Sequence, residues 1–334
     1  MWTIDNRTPY ATGKTWGRDK DGVHQWIVCV KGTFDIRPDG KIGLSDEQLQ
    51  PLFVPEYNGE AGLSSLRYDA DLVLLKPTTD VVLNGTAYAP GGRSRTEFLV
   101  GLKVGHKQKV LKVKGNQRWS TGPLGGAPSA PQPVTSVPIL YERAFGGHDR
   151  VHPDPVHQRI DSRNPVGCGV VADLSHRAGQ PLPNFEYPEG NLEAAGPAGF
   201  GAIDSFWSPR KEFAGAYDAA WQRDRFPLVP ADWDPRALLS SPVDQRPDRY
   251  LSGGEIVELL NLTPNGKFAF ALPKVHLTLR TRLDRRVVEH DARLCTVIIE
   301  PDQSRLLMVW IGSLSCRING DYLEGTTVRQ TRSQ

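Results

Sequence analysis

The sequence predicts a mainly β protein. Antiparallel, sandwich-like sheets are joined by a long, ordered loop region rich in Pro, Gly and aromatic residues, with few short helices. Three observations carry the prediction. Apolar and polar residues alternate with period two in several segments toward both ends of the chain. Two thirds of the 27 prolines fall between Pro123 and Pro247, where no such alternation exists. The 33 glycines, with turn-forming clusters between the segments, favour frequent reversals over long helices.

From Gln25 to about Trp119 the pattern is β. Trp26, Val28, Val30, Phe34 and Ile36 share one face, and Lys31, Thr33 and Asp35 lie on the other, which predicts a half-buried strand. Asp71 to Leu75 is a short apolar run closed by Lys76-Pro77 and reads as another strand-like piece, followed by Val81 to Tyr88. Phe98, Val100, Leu102 and Val104 alternate with Glu97, Leu99, Gly101 and Lys103, and Leu111 and Val113 with Lys112 and Lys114. Gly105 to Gln108 between them fits a hairpin loop.

Between Pro123 and Pro247 proline withholds the donors that sheets and helix interiors need. The stretch nevertheless holds Tyr141, Phe145, Phe185, Trp207, Trp221 and Trp233, and a disordered linker would be poor in aromatics. It reads as ordered loops packed on the sheets, with one short helix around Lys211 to Arg223. From Gly254 to Asn319 the β pattern returns: Ile256 to Leu262, a turn at Thr263 to Gly266, Phe268 to Leu272, Val275 to Leu283, then Leu294 to Ile299 and Leu306 to Ile311 joined by Pro301 to Ser304. The expected regions are an N-terminal β region (1–122), a loop-rich aromatic region (123–252) and a C-terminal antiparallel β region (253–334). No helix-length crossovers appear, which argues against a parallel α/β sheet.

With 334 residues the chain buries a core without staples. A net charge of +2 gives no reason to expect nucleic acid or an anionic membrane as partner. Met1 to Arg7 lacks the apolar core of a signal peptide, and no stretch approaches the length of an uncharged membrane span. Cys29, Cys168, Cys295 and Cys316 are widely spaced, with no CxxC, and read as reduced thiols in a cytoplasmic protein.

Each motif that hints at chemistry has a plainer reading. Gly13-Lys14-Thr15 resembles the end of a phosphate-binding loop, but Thr8 stands where its first glycine belongs. Gly167-Cys168-Gly169 with Ala172 fits a dinucleotide pattern, but Asn164-Pro165 precedes it where a strand is required, so it reads as a turn. His148, His152 and His157, with Asp149, Asp154 and Cys168, are metal-ligand types, yet neighbouring glycines and prolines oppose the helix that would converge them, and no metal or cofactor is expected. Cys168 as a nucleophile would need a nearby positive charge. Asp232 and Asp234, with Trp221, fit the paired carboxylates of a glycosidase, and equally a turn with a packed ring. Lys103, Lys107, Lys109, Lys112, Lys114 and Arg118 form a basic stripe that reads as edge protection before it reads as a surface for an acidic partner.

Laid out in order, the chain resembles the adaptor family of unknown-function domains encoded beside PAAR and VgrG genes in type VI secretion clusters. The matching stretches are Ala70 to Pro77 with Val82 to Ala87, Tyr141 to Gly147, Asn164 to Gly169, Pro197 to Gly201, Ala214 to Asp218 with Trp221, and Asp244-Gln245 with Gly253 to Glu255. Ile311 follows Trp310 where the family pattern tends to have arginine. The resemblance implies a non-enzymatic, cytoplasmic adaptor that binds a PAAR-containing effector and helps load it onto the VgrG spike. Tyr141, Glu142, Arg143, Phe145, Gly146, Gly147, Asn164, Gly167 and Trp221 are the candidate partner-binding residues. The alternative is a β-sandwich hydrolase or sugar-binding module using Trp221, Asp232 and Asp234.

Overall fold

A computed structural model describes residues 2–122, 126–283, 286–316 and 322–331. The protein is mainly β, with several largely antiparallel sheets, 3-10 turns and, among the described residues, two short α-helices, Leu192–Ala195 and Ala219–Asp224. Pro123 and Asn319, which bound two of the expected regions, lie outside the described residues.

Three sheets carry the architecture, and each takes strands from both sides of the loop-rich middle. The largest has the order Ala11–Arg18, His24–Ile36, Arg305–Cys316, Arg293–Glu300, Asp80–Leu83, and Ile42–Leu44 also pairs with His24–Ile36. Its last pair, Asp80–Leu83 on Arg293–Glu300, is parallel. A five-stranded sheet runs Phe185–Glu186, Lys107–Lys114, Glu97–Val104, Ile256–Leu260, Lys267–Ala271. A four-stranded sheet runs Thr3–Arg7, Leu323–Thr331, His276–Leu283, Arg286–Asp291, with Thr3–Arg7 parallel to its neighbour.

The inward faces of all three meet in one apolar core. Val28, Val30 and Met308 come from the largest sheet, Val100 and Val257 from the second, Leu279 and Val328 from the third. The alternation read at 97–104 and 107–114 therefore marks a buried face, and only Gly105 and His106 separate these strands. Gly105 takes the left-handed conformation that this tight turn requires. The 263–266 turn also forms, closed by the Gly266 N–H donating to the Thr263 carbonyl at 3.1 Å.

Three expectations need correction. The 24–36 strand is not half-buried, because Lys31 and Thr33 are each only 2% exposed. The second face of the largest sheet is covered by loops, and a lysine survives there only because Asp71 meets it at 2.7 Å. Asp71 to Leu75 is not a strand. It wraps across that face, setting Val73 and Leu74 against Ile27, Cys295 and Ile311. The helix expected over 211–223 is two pieces, the 3-10 turn Lys211–Ala214 and the helix Ala219–Asp224, which begins on an Asp218 cap beyond Gly215. Gly215 adopts a positive φ that continues neither piece.

The loop-rich middle is held down by buried polar bonds. Asp80 pairs with Lys76 at 2.8 Å and accepts hydrogen bonds from the backbone amides and hydroxyls of Ser240 and Ser241. The Gln245 side-chain amide donates to the carbonyls of Val81 at 2.7 Å and Phe200 at 3.0 Å. Burial pushes the Asp80 carboxyl up, but the Lys76 charge and the serine donors outweigh it and bring it down to about 2. No helix among the described residues is long and apolar enough to cross a membrane.

Candidate functional site

The two glycine-rich segments are far apart in sequence and meet in space. Phe145–Gly146 pairs in parallel with Cys168–Gly169. Asn164 ties them together. It is wholly buried, and its side-chain amide donates to the Tyr141 carbonyl at 2.7 Å and the Phe145 carbonyl at 3.0 Å. Its own carbonyl accepts from the amides of Gly147 at 2.8 Å and Gly167 at 3.2 Å. A Cβ at Gly146 would stand 2.3 Å from the Asn164 carbonyl oxygen, and one at Gly167 would stand 2.3 Å from the Asn164 side-chain nitrogen. These glycines let two backbones touch.

Neighbouring residues fasten this knot to the rest of the molecule. Tyr141 is buried, packs edge-on against Trp207 with ring centres 5.6 Å apart, and donates to the Gly201 carbonyl. Glu142 accepts from the amide and hydroxyl of Ser65 at 2.7 and 2.8 Å. The Arg143 guanidinium donates to Asn184 at 3.1 Å, and Asn184 in turn donates to the Lys114 carbonyl at the edge of the five-stranded sheet. Ala144 bridges Phe185 in parallel, so the knot continues that sheet outward.

The knot forms part of a groove of about 610 Å³. Phe145 and Gly169 reach it from the two motifs. Leu182, Leu192 and Val171 add apolar wall, and Trp119 and Arg177 stand together on it. The Arg177 guanidinium carbon lies 3.2 Å from the centre of the Trp119 ring. Trp119 reaches Arg177 because its amide donates to the Gln180 carbonyl at 3.0 Å, pinning 117–119 beside 179–182. The sequence singled out neither Trp119 nor Arg177 as a site residue. Their signal was faint: an aromatic ending the basic stripe, and an arginine in a featureless loop.

Trp221 does not line this groove. It lies on the Ala219–Asp224 helix, donates to the Leu228 carbonyl at 2.8 Å, and contacts Tyr217 and Phe226 edge to face. Tyr217 and Phe226 are 57% and 68% exposed, so the three rings form a small aromatic surface of their own.

The residues considered for chemistry serve the fold. Asp232 accepts from the Ala216 amide, and Asp234 caps a 3-10 turn and pairs with Arg236 at 2.8 Å. Burial pushes the Cys168 thiol up to about 11, against a smaller opposing pull from Arg143. Asp149 accepts from the amides of Val151 and Ala172, and the His148 ring meets Gln158 at 3.0 Å. Gly13 to Thr15 lie within the 11–18 strand rather than a phosphate loop. The basic stripe is neither free edge protection nor an open cationic face. Lys103 pairs with Glu258, Lys107 with Asp248, Lys109 with Asp244, and Lys112 and Lys114 with Glu186. Lys109 is buried under the rings of Tyr187 and Phe200.

No curated protein and no solved structure matches the chain. A family profile does match it, over residues 21–311 and therefore across the five-stranded sheet, the knot and the groove, leaving out the strands Thr3–Arg7, Ala11–Arg18 and Leu323–Thr331, and the chain belongs to that family, described as an uncharacterized protein conserved in bacteria (DUF2169).

Proposed function

We propose that this protein is a non-enzymatic adaptor that binds a PAAR-containing type VI secretion effector in the cytoplasm and helps load it onto the VgrG spike. The observation that carries the reading is that the knot joining Tyr141 to Gly147 with Asn164 to Gly169 places Phe145 and Gly169 on the wall of one large, mixed apolar and charged groove. Such a lining suits a protein segment, with ring and aliphatic walls for anchoring and fixed charges at the margin. The engagement of Cys168, Asp232 and Asp234 in packing and capping is in keeping with a binding role.

Co-expression with a PAAR-containing effector tests it. The two proteins are expected to purify together, and deletion of this protein is expected to stop export of that effector. An effector that never associates and is exported normally without this protein contradicts the proposal. Recovery of this protein inside the fired apparatus would instead make it a structural component.

The exposed rings of Tyr217, Trp221 and Phe226 favour a second reading, a sugar-binding surface. Glycan-array binding that disappears in Trp221→Ala would support it.

A further inference from the structure

We infer that the groove takes a peptide segment that sets a carboxylate against Arg177 beside a bulky apolar side chain. The inference rests on the groove being the partner site and names the chemistry of what enters it.

Charge bookkeeping around the groove points to Arg177. Lys114 is matched by Glu186 at 2.5 Å, and Arg159 by Glu193. Arg177 has no ion pair among the described residues. Its Nε is buried and makes no hydrogen bond there. A guanidinium held flat against an indole keeps its in-plane donors for another acceptor and loses little freedom when it binds one. A carboxylate fits that fork with two parallel hydrogen bonds. Apolar walls from Leu182, Leu192 and Phe145 lie in the same groove, and a simple anion would leave them unused. A nucleic acid or anionic membrane would call on several free cations, whereas the other two here are matched.

Selection of phage-displayed random peptides on the full-length protein tests the inference. The pool is expected to be enriched in Asp, Glu or a terminal carboxylate next to Leu, Ile or Phe. For a synthetic member of the pool, replacing the acid by its amide is expected to weaken binding about tenfold. Arg177→Gln is expected to weaken the acidic peptide by a similar factor and to leave the amide peptide unchanged, the non-additivity expected of a direct pair. A pool without acidic enrichment, equal binding of the amide peptide, or unaltered binding of the acidic peptide to Arg177→Gln overturns the inference. The acid-to-amide comparison uses the unaltered protein, so misfolding of a variant does not blur it. These readouts involve no effector, so failure of the effector to co-purify sinks the adaptor proposal and leaves this one standing.

Discussion

Asn164 joins the carbonyls of Tyr141 and Phe145 through one side-chain amide, and both bonds are shut away from water. Asn164→Ala leaves both carbonyls without that donor, at an expected cost of about 1–3 kcal/mol for each. Urea denaturation should show the loss as a lower midpoint, and an unchanged midpoint would mean the knot is held otherwise. The Cys168 thiol, pushed up to about 11, is almost wholly protonated at neutral pH. Site-resolved labelling by mass spectrometry should find it slow to react in the native protein and fast once unfolded. Rapid native labelling would restore the nucleophile reading.

The docking of the loop-rich middle onto the largest sheet depends on the buried Lys76–Asp80 pair and its serine donors. Removing one partner strands the other charge in the interior, so Asp80→Ala is expected to cost about 3–5 kcal/mol. The pH dependence has a definite sign. The folded-state value of about 2 lies below the ordinary aspartate value of about 3.9. The stabilisation is therefore present above about pH 4 and disappears as pH falls through 2. Unfolding free energies of wild type and Asp80→Asn should converge over that range, and a constant difference would contradict this assignment.

Parts of this architecture were legible in the sequence. Val100, Leu102, Leu111 and Val113 announced their strands because one face of that sheet lies in the shared core. Thr3–Arg7, Ala11–Arg18 and Leu323–Thr331 were not legible, since they carry few apolar residues: Ala11–Arg18 and Leu323–Thr331 are ordered by pairing with apolar strands, and Thr3–Arg7 by pairing with Leu323–Thr331 in turn. Lys31 looked like a solvent-facing residue because its partner, Asp71, is 40 positions away. The groove was half legible. Its glycine knot left a dense pattern of Gly and Asn, whereas the Trp119–Arg177 stack arises only from the meeting of two loops.

At the scale of the molecule, one core is assembled from three sheets, and each sheet is completed by strands from both sides of the loop-rich middle. A fragment ending at residue 252 would lose Arg305–Cys316 and Arg293–Glu300 from the middle of the largest sheet. It is expected to show no cooperative unfolding by near-ultraviolet circular dichroism, whereas a cooperative transition would reveal an N-terminal unit that folds alone. That shared core gives the groove a rigid base, so binding of the proposed partner there is expected to leave the sheets in place. The most direct test of this is hydrogen–deuterium exchange on the protein alone and after mixing with the PAAR-containing effector proposed as its partner. Protection is expected at 117–119, 169–174 and 182–192 around the groove, with the four-stranded sheet unchanged. Protection confined to the four-stranded sheet or to the Tyr217, Trp221 and Phe226 surface would contradict the assignment of the groove as the partner site.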